Sequence, residues 1–103
     1  MMLLTKELRR KLPPLYANEE KKPEDIPIIV KFFDPCGSWT WYATEFNPDT
    51  EIFFGYVRGI ENGLGYFSLK ELQEYRSKPF KLGIERDRHF GKHTLAEVTV
   101  EAL

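Results

Sequence analysis

The chain has 103 residues, of which 42% are hydrophobic and 15% aromatic, a composition that suits one small domain spanning 1–103 and favours a packed globule over a disordered chain. Its 15 basic and 16 acidic residues leave a net charge of -1. That balance argues against bulk electrostatic attraction to a nucleic-acid backbone, which leaves a local basic patch as the alternative.

Cysteine usage and the N-terminus both bear on the compartment. Cys36 is the single cysteine, so no intrachain disulfide can form, and a small domain without disulfides is typical of a reducing compartment. The start MMLLTKELRR has an apolar run too short for a signal peptide or a membrane span. We therefore expect a soluble, cytoplasmic protein.

The N-terminal segment predicts a short helix over residues 5–12. Thr5 can supply an N-cap hydroxyl, and leucines then recur every fourth residue on one helical face. Pro13 ends the helix because it has no N–H to donate. Residues 17–25 are polar and contain a proline, and they predict a loop.

Three aromatic-rich stretches follow, at 26–33, 38–46 and 51–59, and the turn sequences DPCG, NPDT and IENG come after them. Short runs of aromatic and β-branched residues between such turns are typical of an antiparallel meander. GLGYF, at 63–67, fits a short fourth strand. We predict a three- or four-stranded antiparallel sheet built from residues 27–67.

The clearest local signal follows the last strand. Ser68 and Glu71 form an S-x-x-E capping box, which predicts a helix over 69–77. A second box at 94–97 favours a helical turn at 94–98, although apolar and polar residues also alternate there as in a strand. The predicted fold class is α+β, with a small antiparallel meander flanked by two or three helices.

Large rings occupy both faces of the predicted sheet. In 38–46, strict alternation places Trp39, Trp41 and Glu45 on one face and Phe46 on the other. Helices could cover one face of the sheet. Loops and the C-terminal tail would then either cover the other face, which is the commoner arrangement in small domains, or leave it exposed. An exposed face would bind a partner, because Trp and Tyr dominate interface hot spots.

The row GIERDRHF, at 83–90, holds five consecutive charged or titratable residues. In an extended chain Glu85, Asp87 and His89 share a face and could hold a hard divalent ion or perform acid–base chemistry. The neighbouring arginines compete for those carboxylates, so a solvated structural edge is the preferred interpretation. Cys36 has no base beside it in the sequence, and a catalytic thiolate is not expected.

Four blocks of the chain resemble the bacterial proteins grouped as domain-of-unknown-function family 2958: LLTKELRRKLPPLYANEE, VKFFDPCGSWTWYATEF, FFGYVRGIENGLGYFSLKEL and GIERDRHF. The resemblance covers roughly residues 3–97, with the order and spacing of the blocks intact. It implies no established activity and no catalytic residues. It does imply a setting, since members of the family are associated with plasmids, conjugative elements and phage-like regions.

The leading hypothesis is a non-enzymatic binding protein of a mobile element, which docks on a host protein or protein–nucleic-acid complex such as a defence complex. Its expected contact residues are Trp39, Trp41, Phe53, Arg86 and Arg88. One alternative is a nucleic-acid-binding module that uses the aromatic sheet face and basic segments. The other is a small metal-assisted hydrolase using Glu85, Asp87 and His89. We expect no cofactor and no membrane contact, and a monomer and a homodimer both remain open.

Overall fold

The computed structural model describes residues 2–77 and 80–100, which are built around one antiparallel sheet. The described residues form five strands: β1 (Val30–Phe33), β2 (Thr40–Asn47), β3 (Ile52–Arg58), β4 (Gly63–Ser68) and β5 (Glu85–Arg86). Their spatial order is β4-β3-β2-β1-β5, so the first four strands form the predicted meander. The prediction of three or four strands did not include β5.

The additional strand, β5, lies in the charged row. Its residues Glu85 and Arg86 pair with Phe33 and Phe32 of β1. The N–H of Asp87 also donates to a β1 carbonyl, at 2.9 Å. A two-residue strand is too short to show an alternating sequence pattern. Its position is set by the free edge of β1 and not by its own sequence.

The described ranges contain three short α-helices: α1 (Lys6–Lys11), α2 (Leu69–Glu74) and α3 (Leu95–Val100). Thr5 Oγ1 accepts the N–H of Leu8 at 3.2 Å, and Ser68 Oγ accepts that of Glu71 at 3.3 Å, so both predicted N-caps are confirmed. The α+β class is confirmed as well, although α2 ends three residues before the predicted boundary. Within these ranges no helix is long and apolar enough to cross a membrane.

Helices α1 and α2 cover one side of the sheet, which we call the helix face and which carries Phe32, Ala43, Phe46 and Phe53. The ring of Phe53 is fully buried, with its centroid 5.4 Å from that of Phe32 and 4.6 Å from that of Phe46. Leucines from both helices complete this core. Part of the high aromatic content of the sequence is therefore buried in this core.

The opposite side, which we call the tyrosine face, carries Tyr42, Glu45, Phe54, Leu64 and Tyr66. Helix α3 and the segment 26–28 cover its centre, where Tyr42 is fully buried. Helix α3 and the segment 26–28 do not extend over the part of this face formed by β3 and β4, where apolar side chains are exposed. Both faces are thus covered near β1 and β2, and the uncovered area lies on the β3–β4 hairpin.

A β-bulge in β2 reverses the predicted orientation of two side chains. Ala43 pairs with Gly55 but Glu45 pairs with Phe54, so Thr44 is the extra residue. Glu45 consequently lies on the tyrosine face and Phe46 on the helix face. The prediction from strict alternation was wrong for both residues, because the bulge inserts one position that alternation does not count.

Candidate functional site

The tyrosine face contains an open groove of about 410 Å³ beside the β3–β4 hairpin. Three of its large hydrophobic side chains are strongly exposed: Tyr16 at 63%, Leu64 at 57% and Tyr66 at 55%. We call this the tyrosine groove, and the side chains that matter most in it are Tyr16, Asn18, Glu45, Phe54, Leu64 and Tyr66. It is one of the places where the described part of the chain leaves large apolar side chains in contact with water.

The outer wall of the groove is a loop that Glu45 holds in place. The N–H of Tyr16 donates to Glu45 Oε1 at 2.8 Å, and the N–H of Asn18 donates to Oε2 at 2.9 Å. The Glu45 side chain is only 4% exposed. A buried carboxylate needs such donors, and two charge-assisted hydrogen bonds fix the loop against the sheet. The bulge at Thr44 aims this carboxylate at the loop.

The mouth of the groove is formed by Tyr16 and Tyr66. A hydrogen bond that the Tyr66 O–H donates to the Tyr16 phenol, followed by partial desolvation, raises the pKa of Tyr66 above its ordinary 10.0. The ring of Phe54 packs beside that of Tyr66, with centroids 5.1 Å apart. Tyr16 has a positive φ of 73°, an uncommon backbone conformation for a bulky residue. The loop therefore presents this ring at a local conformational cost.

One polar group at the groove is unsatisfied. The Asn18 side-chain nitrogen is buried and hydrogen-bonds to no group in the described part of the chain. A buried amide without a partner costs free energy, so it favours any acceptor that reaches it. The groove thus combines an aromatic wall with one buried donor, an arrangement suited to an apolar or aromatic side chain next to a carbonyl group.

The tryptophans predicted as contact residues lie elsewhere. Trp39 and Trp41 are half-buried, and their rings stack with centroids 6.1 Å apart. Trp39 also lies on the backbone of Gly59, where an added Cβ would come within 2.3 Å of the ring. Phe53, the third predicted anchor, is sealed in the helix-face core and does not reach the surface. Trp41 packs at the border of the same helix-face core, so the tryptophan pair stays half-exposed while Phe53 is sealed inside.

The residues of the charged row at 83–90 make separate structural contacts. Arg86 donates to the carbonyls of Met2 at 2.6 Å and Leu3 at 3.2 Å, which ties the N-terminal segment to β5. Arg88 is exposed. Asp87 pairs with Lys31 at 3.3 Å.

The candidate metal or acid–base residues of that row are not gathered in one place. Glu85 lies in β5, half-buried, whereas Asp87 and His89 follow the strand, and the His89 N–H donates to Asp87 Oδ1 at 2.9 Å. In the described ranges, no three His, Cys, Asp or Glu side chains are grouped to hold a metal ion. His93 is held by Glu97, at 3.1 Å.

Several basic side chains considered for nucleic-acid contact are engaged with acidic ones. Arg9 lies 2.9 Å from Glu51, and Lys11 lies 3.4 Å from Glu7. Arg9 also lies over the ring of Phe46. These pairs reduce the local positive charge on α1 that phosphate binding would use.

Cys36 occupies the turn between β1 and β2 as an exposed free thiol. Its N–H donates to Asp34 Oδ1 at 3.0 Å, and the Tyr75 phenol donates to Asp34 Oδ2, also at 3.0 Å. That hydrogen bond raises the pKa of Tyr75 above 10.0. The buried carboxylate of Asp34 thus organises the turn and joins it to the end of α2.

Sequence reasoning missed the groove, although one signal for it was present. In GLGYF, the large residues Leu64 and Tyr66 alternate with Gly63 and Gly65, a pattern that places bulk on one face only. Tyr16 carries no comparable signal, because its position depends on Glu45 across the fold. The alternation in GLGYF could have identified the β4 side of the groove. The position of the loop that carries Tyr16 could not have been predicted from the sequence.

Comparison with known proteins gives one result. The sequence model of a family described as "Protein of unknown function (DUF2958)" matches residues 3–102. No curated protein and no solved structure matches the chain.

Proposed function

Because the chain belongs to the DUF2958 family of proteins of unknown function, we propose a function from its surface: it is a non-enzymatic protein that binds another protein through the tyrosine groove. The setting of this proposal is a bacterial mobile element, and the proposed partner is a host protein such as a component of a defence complex. That setting rests on the resemblance alone, whereas the binding surface rests on the contacts described above.

The observation that carries the proposal is the contiguous exposure of Tyr16, Leu64 and Tyr66 around one groove. Aromatic side chains are enriched in the cores of protein interfaces, where rigid rings bury a large apolar area at low entropic cost. Burial of such a patch is favourable by about 25 cal/mol for each Å² of apolar surface. A partner that covers the groove would therefore gain affinity from side chains that contribute little to the free fold.

The groove is also suited to binding because it is pre-formed. Glu45 fixes the loop through the N–H groups of Tyr16 and Asn18, so the wall is in place before a partner arrives. Binding then avoids the cost of ordering that loop. This fixed aromatic wall favours a protein surface that presents an apolar side chain.

Partner capture with paired variants tests the proposal. The test variant is Tyr16→Asn combined with Leu64→Ser, because Asn tolerates the positive φ at position 16 and Leu64 is exposed. The matched control is Ile60→Ser, an exposed apolar residue on the same hairpin but outside the groove lining. All proteins are first checked for equal melting temperatures.

Each protein is then used as bait in a lysate of the bacterial host, and captured proteins are identified by mass spectrometry. The proposal predicts a partner that wild type and Ile60→Ser retain and the double variant loses. A partner retained equally by the double variant would contradict it. Trp39→Ala and Trp41→Ala form a second arm, since loss of capture there, with folding intact, would assign binding to the tryptophan pair instead.

A further inference from the structure

The two edges of the sheet differ in how they are protected. The β5 edge has only two residues, Glu85 and Arg86, both charged. Natural proteins use short, charged edge strands in this way to prevent pairing with other chains. The charged row thus makes one edge of the sheet unsuitable for strand addition.

The opposite edge, β4, lacks these protections. Its six residues, Gly63–Ser68, include no charged residue and no proline, in a chain that is 30% charged. The bulge of this sheet lies in β2 rather than in β4. Apart from its pairing with β3, no residue in the described ranges is recorded as hydrogen-bonding to the backbone of β4 at 63–67. An uncharged edge strand of this length is a template for another strand.

From this asymmetry we infer that β4 pairs antiparallel with β4 of a second copy, which joins the two sheets into one continuous sheet. Isologous pairing of identical elements about a two-fold axis is the commonest route to a homodimer. The inference goes beyond the proposed function and does not depend on it, because the backbone of β4 makes the strand pairing, although Leu64 and Tyr66 also line the groove.

The geometry of antiparallel pairing restricts the register. Residues directly opposite each other point to the same face, so a symmetric pair must match positions of equal parity. The register that overlaps all of 63–67 with itself is centred on Gly65. It places Leu64 opposite Tyr66 of the second copy, and Gly63 opposite Phe67 of the second copy. Pairing an aliphatic side chain with an aromatic one across strands is favourable.

The charges next to β4 fit the same register. Along the chain, the nearest charged residues on either side of the strand are Glu61 and Lys70, which have opposite signs. Antiparallel pairing about Gly65 brings the Glu61 end of one strand to the Lys70 end of the other. Glu61 of one copy then lies at the end of the strand where Lys70 of the other lies in the first turn of α2, and this charge complementarity favours the chain's own copy as the occupant.

The paired strands would also extend the binding surface. A two-fold axis perpendicular to the sheet keeps both tyrosine faces on the same side. Leu64 of the second copy would then lie next to Tyr66, at the side of the groove that a single chain leaves open. The two grooves would become one symmetric apolar surface.

A register-specific disulfide tests the inference. Gly65→Cys is made in a Cys36→Ser background, because an added Cβ at Gly65 meets no atom within 4 Å and Cys36 is an exposed free thiol. Residues directly opposite in an antiparallel pair have Cα atoms about 4.5–5.5 Å apart, within the range of a disulfide. Gly63→Cys is the matched control, since its added Cβ is equally unobstructed.

The control thiol lies out of reach of its own copy in this register. Position 63 is opposite position 67 of the second copy's strand, four residues away from that strand's own position 63. The two thiols introduced by Gly63→Cys would therefore be about 13 Å apart along the strand. Under mild oxidation we expect most of the Gly65→Cys protein, and only a trace of the Gly63→Cys protein, to form disulfide-linked dimers.

The mass of the wild-type protein gives a second readout that needs no substitution. Sedimentation equilibrium should show a species of twice the 12.1 kDa chain mass at raised concentration. A selective Gly65→Cys cross-link supports the register at any affinity. Equal cross-linking of both variants, a wild-type dimer in which Gly65→Cys stays reduced, or a monomer without selective cross-linking would each overturn it. The last result would leave the edge free for a strand of another protein.

Discussion

Substitution of Glu45 by Gln should loosen the wall of the tyrosine groove. The carboxylate accepts two N–H groups from the loop, those of Tyr16 and Asn18, and its own side chain is 4% exposed. Gln has nearly the same shape but only one acceptor oxygen. One of the two N–H groups would therefore face an NH₂ group instead of an oxygen.

The expected loss follows from the strength of such bonds. A hydrogen bond to a charged group stabilises a fold by about 1.5–3 kcal/mol, so the loss of one bond should cost about 2 kcal/mol. For a domain of roughly 100 residues, each kcal/mol corresponds to about 4–8 °C in Tm, which gives a decrease of about 8–16 °C. The steric term is small, because the replacement is nearly isosteric.

Thermal unfolding followed by circular dichroism measures this effect. Glu74→Gln is the control, since Glu74 is exposed and has no hydrogen bond or ion pair recorded with a described residue. Amide hydrogen exchange should also accelerate at Tyr16 and Asn18 in the Glu45 variant. If Tm and exchange match those of the control, the carboxylate does not hold the loop and the groove has no fixed wall.

Three further predictions concern other contacts. In Tyr16→Asn, the Tyr66 phenol loses the hydrogen bond that raises its pKa, so ultraviolet titration should show it ionising nearer to 10.0; an unchanged titration would contradict the contact at the mouth. Hydrogen bonds with His93 and then with the Thr94 N–H lower the pKa of Glu97 below its ordinary 4.5. The charged carboxylate therefore stabilises the fold at pH values above 4.5, and this contribution is lost as the pH falls from 4.5 through the lowered pKa. The Tm of wild type should therefore exceed that of Glu97→Gln at neutral pH and converge with it in acid, and a constant difference would argue against the contact. Phe53→Ala should lower the unfolding free energy in urea by about 3–5 kcal/mol, because it empties a fully buried site, and a change of a few tenths would place this ring at the surface.

The sequence predicted those parts of the fold that depend on local chemistry. The N-caps at Thr5 and Ser68 and the four strands of the meander are confirmed, because turn residues and capping hydroxyls act over three or four positions. The extra strand β5 was missed, since its existence depends on a β1 edge distant in sequence.

The site was harder to predict, for a related reason. One inserted residue at Thr44 moves Glu45 to the tyrosine face, and alternation has no means of detecting it. The sequence indicated that some aromatic side chains would be exposed, but that role was assigned to Trp39, Trp41 and Phe53. The structure buries Phe53 in the helix-face core and exposes Tyr16, Leu64 and Tyr66 instead. Which ring remains exposed is decided by what the loop and helices cover, and that is a property of the whole fold.

Oxidative footprinting of the free protein and of its captured complex tests the central claim most directly, because it reports solvent access side chain by side chain. In the free protein, Tyr16 and Tyr66 should react readily. In the complex, the account predicts that both tyrosines become protected while the Trp39–Trp41 pair reacts as before. Unchanged reactivity of the two tyrosines, together with protection of the tryptophans, would contradict it.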